Sequence, residues 1–228
     1  MIGIIGAMGV EIETLKQNTQ NKETTIISGI EFTKGTILGK DVVLAVCGVG
    51  KVFAAICAQT MILKFAPDII INTGVAGTLS EKLSIGDIAV SKDVVQHDMD
   101  TCALGDPPGL ISGINMIKFP ADEKAVRILT ECVKEEKINY LVGTIASGDK
   151  FLASQEEKKR ITDTFDAIAG EMEGASIGHT CYVNKTPFLV LRAISDKADG
   201  SGAENYFEFL KQAAETAAEV MEKFIKTY

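Results

Sequence analysis

The chain has 228 residues, a hydrophobic fraction of 46% and a net charge of −8, with a pI near 4.9. That length and apolar content suit one domain spanning residues 1–228 with a well-buried core. The acidic balance, with only Arg127, Arg160 and Arg192 as arginines, argues against binding a phosphate backbone, so neither nucleic acid nor membrane is an expected partner. The N-terminus is apolar but lacks a basic leader region and is too short to span a bilayer. Cys47, Cys57, Cys102, Cys132 and Cys181 form no CxxC pair, which reads as reduced thiols in a cytoplasmic protein. His97 and His179 have no ligand partners at a useful spacing, so no metal site is expected.

Short apolar runs alternate with helical patterns along the chain. Ile2 to Ile5 predicts a buried first strand, and Glu11 to Asn18 a helix. Thr24 to Ser28, Glu31 to Ile37 and Val42 to Cys47 predict strands joined by turns at Gly29 and Gly39. Val52 to Phe65 predicts a helix with Val52, Ala55, Ile56, Ile62 and Leu63 on one face, ended by Pro67-Asp68. Ile69 to Ile71 and Ile88 to Val95 predict buried strands, Ala121 to Lys137 a helix, and Tyr140 to Ser147 and Ala167 to Ala169 further strands. Met172 to Asn184 predicts a helix and Pro187 to Ser195 the longest buried strand. The last helix, about Ala203 to Lys226, carries Phe207, Leu210, Ala214, Ala217, Met221 and Phe224 as a stripe for the sheet. The expected fold is α/β, a single domain with a central mixed sheet flanked by helices on both faces.

Three acids follow three of these strands: Glu11, Glu173 and Asp196. In an open α/β sheet, ligands bind beyond the carboxyl ends of the strands, so these carboxylates are expected to share one crevice. Taken singly, each also reads as a helix cap or a partner for a helix dipole. Arg192 tips the balance: it lies inside the core strand Leu189-Val-Leu-Arg-Ala-Ile, where a buried charge demands partners, and is expected to pair with one or more of the three. Convergent carboxylates without a metal cage suit acid/base cleavage of a neutral substrate that develops positive charge, such as a glycoside. The segment Asn72-Thr-Gly74-Val-Ala-Gly77-Thr78 reads as a loop whose glycines bring backbone close to a ligand, or equally as a tight turn into a helix. Gly48-Val-Gly50-Lys51 is no phosphate loop, because Ala45 and Val52 stand where glycine and Ser/Thr are required. Nor is it a dinucleotide fingerprint, because Phe53 replaces the third glycine.

Ile2-Gly-Ile-Ile-Gly-Ala-Met8 with Glu11, Ile70-Ile-Asn-Thr-Gly74, Ser147-Gly-Asp149, Glu171-Met-Glu173 and Arg192-Ala-Ile-Ser-Asp196 resemble the 5′-methylthioadenosine/S-adenosylhomocysteine nucleosidases of the nucleoside phosphorylase superfamily. The resemblance runs the length of the chain. It implies a nucleoside phosphorylase-like fold, a purine nucleoside as substrate, no cofactor and a homodimer. It implies that Glu11 activates the attacking water, Asp196 protonates purine N7, and Arg192 orients the water and the acids. Glu173, beside Met172, would hold the ribose 2′- and 3′-hydroxyls, Phe151 would stack on adenine, and the Leu152 backbone would read its edge. Glu171 is implied as a structural neighbour. Met8, Val49, Val75, Ala76, Gly77 and Ser195 complete the implied binding set. Leu104, in the Gly/Pro-rich segment Asp98 to Gly109, would cover the 5′-group of a neighbouring subunit's substrate. The chain departs from the family pattern at Val75, often serine, at Tyr206, often phenylalanine in the 5′-pocket, and through much of that segment. A purine nucleoside phosphorylase, a futalosine-type nucleosidase and a non-catalytic nucleoside-binding protein are the competing readings.

Overall fold

The computed structural model describes residues 1–199 and 202–228, and of residues 202–208 the backbone alone. Strand β1 (Ile2–Gly6) is buried at every position and runs parallel to both its neighbours, β4 (Lys40–Val46) and β5 (Ile69–Thr78). Strands β2 (Gln20–Ile27) and β3 (Ile30–Ile37) continue from β4 as an antiparallel meander. Its turns are Ser28-Gly29 and Leu38-Gly39, with positive φ at both residues of each pair. That geometry matches the right-handed twist of the flanking strands. The free edge is β2, whose polar, exposed face Gln20-Asn-Lys-Glu-Thr discourages further pairing.

The other half of the sheet closes on itself. Strand β10 (Phe188–Asp196) lies parallel to β5 and antiparallel to β6 (Ile88–Gln96). Short β7 (Lys118–Pro120) adds to β6. Strand β8 (Tyr140–Ser147) is parallel to β6, β9 (Ala167–Glu171) is parallel to β8, and β9 returns to the end of β5 at Gly77 and Thr78. The sheet is therefore not open, as the strand pattern suggested: β5, β10, β6, β8 and β9 form a ring. The cause is the length of β5. Its pairing with β1 ends at Asn72, so its last residues offer a free edge that β9 takes. The predicted loop 72–78 is thus strand, and β5, with ten residues, rather than β10, with nine, is the longest buried strand.

Helices α1 (Gly9–Asn18), α3 (Glu123–Glu135) and α6 (Gly202–Thr227) pack together, with α6 against β5 and β10. The predicted stripe on α6 is buried at Ala214, Ala217, Met221 and Phe224 and partly buried at Leu210. Helix α2 (Lys51–Phe65) pairs with α5 (Gly174–Asn184), which reaches β6 and β8. Here most of the expected apolar face turns outward: Ile62 packs against the core and Ala55 is half-buried, but Val52, Ile56 and Leu63 are exposed. The α2 helix buries Ala54, Cys57, Ala58 and Met61, while Val52 and Leu63 stand 70% and 76% exposed beside Phe53 and Ile56. A helix apolar on all sides carries no phase from which to read its buried face, and the smaller side chains allow the closer approach. Helix α4 (Gln155–Phe165), not foreseen, covers β8 and β9 and buries Ile161 and Phe165 in a second small core with Leu79, Val95 and Leu152. Four of the five cysteines are buried and Cys102 is exposed; all five are unpaired. Among the described residues no helix is long and apolar enough to cross a membrane.

Candidate active site

Ring closure brings the ends of β5, β9 and β10 beside that of β1 around one crevice. Its lining is Ala7, Met8, Glu11, Val49, Val75, Ala76, Gly77, Phe151, Gly170, Glu171, Met172, Glu173, Ser195 and Asp196. The mix of apolar walls with a few polar groups suits a small organic ligand.

Glu11 stands in the first turn of α1. One carboxylate oxygen, Oε2, accepts the N–H of Ala7 at 2.7 Å and of Met8 at 2.8 Å, so the residue does serve the helix start. The other, Oε1, turns inward and accepts the Val75 N–H at 3.0 Å. Gly74 makes this approach possible. A Cβ there would collide with Glu11 Oε1 and lie 2.6 Å from Arg192 Nη1. Burial pushes the Glu11 carboxyl above its usual range, against the pull of Arg192 and of the three N–H donors.

Glu173 occupies the N-cap position of α5, yet its side chain makes no cap hydrogen bond. Glu171 takes that role, its Oε2 accepting the N–H of Gly174 at 2.7 Å and of Glu173 at 3.1 Å. Glu173 is thereby free to face the crevice, where its Oε1 accepts the Gly50 N–H at 2.9 Å. Its pKa is raised to about 7, by burial first and then by repulsion from Glu171, with Arg192 and the Gly50 N–H opposing.

Asp196 ends β10. Its Oδ1 accepts the Ala198 N–H at 2.8 Å and its Oδ2 the Ser195 hydroxyl at 3.0 Å. A Cβ on Gly77 would stand 2.7 Å from Asp196 Oδ1, so the second β5 glycine does for Asp196 what Gly74 does for Glu11.

Arg192 is only 1% exposed. Its principal partner is Glu171 rather than any of the three acids, with Glu173 Oε2 more distant at 3.7 Å. Its Nη2 also donates to Asn72 Oδ1 at 2.5 Å, while Nε and Nη1 find no protein acceptor. The Ser147 hydroxyl donates to the remaining Glu171 oxygen. Arg192 itself does not line the crevice. Its Nη1 lies behind Gly74, close to Glu11. Among the described residues no group of three or more His, Cys, Asp or Glu could hold a metal ion.

A model of the phosphorylase superfamily matches residues 1–228. The chain belongs to this superfamily. It is 40% identical over 228 residues, the whole of both chains, to the 5′-methylthioadenosine/S-adenosylhomocysteine nucleosidase of Staphylococcus carnosus. Among solved structures, the Neisseria meningitidis 5′-methylthioadenosine/S-adenosylhomocysteine nucleosidase in complex with methylthio-immucillin-A superposes with a TM-score of 0.96 at 34% identity, covering 100% of this chain and 99% of that one. The futalosine hydrolase of Helicobacter pylori superposes with a TM-score of 0.95 at 35% identity, covering 100% and 97%.

The superfamily member described here brings together most of the residues expected from its sequence. Met8, Glu11, Val49, Val75, Ala76, Gly77, Phe151, Met172, Glu173, Ser195 and Asp196 all line the crevice. Leu152 lines an adjoining recess with Lys150, Phe151 and Asp196. Leu104 does not reach the crevice of its own chain: it sits 84% exposed on a short 3₁₀ turn, Cys102–Leu104. The Tyr206 side chain lies outside the described residues. Sequence reasoning missed Ala7 and Gly50, which act through backbone N–H groups and so leave no side-chain signal.

Proposed function

We propose that the protein hydrolyses the N-glycosidic bond of 5′-methylthioadenosine and S-adenosylhomocysteine, and also of 5′-deoxyadenosine, to release adenine and the ribose derivative, in methionine salvage and the recycling of S-adenosylmethionine by-products. The observation that carries this reading is the placing of Glu11, Glu173 and Asp196 around a single crevice with Arg192 beneath it. Cleaving a ribosyl C–N bond builds positive charge on the sugar and negative charge on the purine. Asp196 protonates N7 and makes adenine a leaving group. Glu173 accepts the ribose hydroxyls and Phe151 stacks on the base, with the Leu152 backbone along its edge. Glu11 takes a proton from water, and its raised pKa makes it a stronger base than a free carboxylate. Arg192 Nη1 lies beside Gly74, close to Glu11, and its charge steadies the carboxylate that must take up the proton.

Water is favoured over phosphate as the nucleophile for a local reason. The Ala7, Met8 and Val75 N–H groups, donors an anion would need, are all engaged by Glu11, whose charge also repels phosphate. Adenine release from 5′-methylthioadenosine in phosphate-free buffer containing a chelator tests the reading. Full turnover is expected, and a strict phosphate requirement overturns it. The likeness to a futalosine hydrolase makes a panel of 5′-modified purine ribosides the matching test of substrate range. We further infer a homodimer. The exposed apolar side chains of α2 (Val52, Phe53, Ile56 and Leu63), with Tyr182 and Val183 on α5, support it, as does Leu104 standing clear of its own crevice. The unpaired cysteines support a cytoplasmic location.

A further inference from the structure

Beside the crevice, three loops are locked by a closed cycle of hydrogen bonds. Lys51, the first residue of α2, gives its N–H to Asp149 Oδ1 at 2.7 Å. Asp149, just past β8, gives its own N–H to Asp98 Oδ2 at 2.9 Å. Asp98, just past β6, holds Lys51 Nζ on its other oxygen at 2.6 Å and closes the cycle. The Ser176 hydroxyl, on α5, fastens the same turn by donating to the Lys51 carbonyl at 2.6 Å. None of Lys51, Asp98 or Asp149 lines the crevice.

The output of the cycle is one peptide away. Gly50 precedes Lys51, adopts φ +101°, and aims its N–H at Glu173 Oε1. Glycine populates that region without steric penalty but holds it only if its neighbours do. Asp149 supplies the hold: it grips the next N–H and sits so close that a Cβ on Gly50 would lie 3.1 Å from its Oδ1.

We propose that Asp149 is a positioning residue for Glu173: by fixing the Gly50-Lys51 turn it keeps the Gly50 N–H on Glu173 Oε1, and so sets the direction in which the carboxylate's remaining lone pairs meet the ribose hydroxyls. The proposal rests on the reading of Glu173 as the sugar-binding group. Without Asp149 the turn relaxes and the carboxylate rotates. The loss falls on kcat more than on KM, because the sugar gains its charge in the transition state.

The test is a double-mutant cycle with 5′-methylthioadenosine and its 2′-deoxy analogue as substrates, adenine release as the readout and thermal melts alongside. Asp149→Ala in the wild-type background is expected to lower kcat about tenfold, the scale of one hydrogen bond to a charged group. Asp149→Asn keeps an acceptor for the Lys51 N–H and is expected to restore most of that loss, which covers the case of an Ala variant that folds poorly. The acid limb of the pH–rate profile is expected to move to higher pH in Asp149→Ala, because the Gly50 N–H helps keep Glu173 ionised. In a Glu173→Ala background, where the Gly50 N–H has no carboxylate or amide to hold, the same change is expected to cost nothing further. An equal loss in both backgrounds, or an unmoved acid limb, overturns the positioning role. If instead Glu173→Gln alone leaves both rate and 2′-hydroxyl preference intact, the sugar-binding role of Glu173 is what fails.

Discussion

Glu173→Gln is expected to make the protein more stable above neutrality while making it a worse enzyme. The Glu173 carboxyl has a pKa near 4.5 when solvated and about 7 in the fold. A carboxyl whose folded pKa is raised favours the folded state fully below the unfolded pKa. That contribution is lost as pH rises through the folded value. The shift corresponds to up to about 3 kcal/mol, at 1.36 kcal/mol per pKa unit. Glutamine carries no charge at any pH, keeps an acceptor for the Gly50 N–H, and removes the repulsion with Glu171. Its cost is the weak attraction to Arg192 at 3.7 Å. The stability difference between variant and wild type is therefore expected to rise from pH 5 to pH 8. In a chain of 228 residues it should reach roughly 5–10 °C in Tm at the upper end. Glu11, shifted in the same direction, also repels Glu173, so relief of that repulsion in the variant acts in the same sense. Urea unfolding or thermal melts of the unliganded pair at four pH values measure it. A difference that stays flat with pH, or falls, would refute the reasoning that burial and Glu171 hold this carboxyl high.

Glu11→Gln and Asp196→Asn should each lower kcat by about 10²- to 10⁴-fold with folding cooperativity intact, and near-normal turnover in adenine-release assays would return both acids to capping roles. Gly74→Ala should be inactive yet folded, since its Cβ would enter the space between Glu11 Oε1 and Arg192 Nη1; a high-resolution structure with both side chains unmoved would contradict this. Glu173→Gln and a 2′-deoxy substrate should give non-additive losses in kcat, and losses that simply multiply would show the two groups are not in contact. Light scattering should find a dimer, and a fully active monomer would remove the interface reading of the α2 face.

The strands were legible because those buried on both faces are continuous apolar runs, and the hairpins because Gly29 and Gly39 mark their turns. The ring closure was not, since nothing in an apolar run records which edge it will accept. Helix α4 was legible but unread. Ser154-Gln-Glu-Glu157 is a helix-start signature, and in the structure the Glu157 N–H donates to the Ser154 hydroxyl at 3.2 Å. The buried face of α2 was illegible because apolar residues surround the helix. At the site, the acids could be picked out, since carboxylates after strands and an arginine inside one are each hard to explain alone. Their division of labour could not be read from the residue pattern alone; only the resemblance implied it, with Glu173 on the sugar and Glu171 as a structural neighbour. Which of Glu171 and Glu173 caps α5, and which faces the ligand, depends on where Arg192 and Ser147 end up, and that is a property of the closed ring.

The arrangement of partners explains why so many acids tolerate one crevice. Glu11, Glu171 and Glu173 share the guanidinium of Arg192. Backbone N–H groups of Ala7, Met8, Gly50, Glu173, Gly174, Val75 and Ala198 offset part of their burial and that of Asp196. These dipoles are fixed by helix starts and strand ends, so they need no reorganisation when charge appears in the substrate. Arg192 is committed chiefly to Glu171, which also caps α5, and so leaves the carboxylates of Glu11 and Glu173 less than fully neutralised. A neutral riboside entering the site gains little from that residual field. A sugar on the way to a cation gains much, and the attraction grows only as the C–N bond breaks. The same imbalance that raises Glu173 and weakens the resting protein thus favours the transition state over the bound substrate.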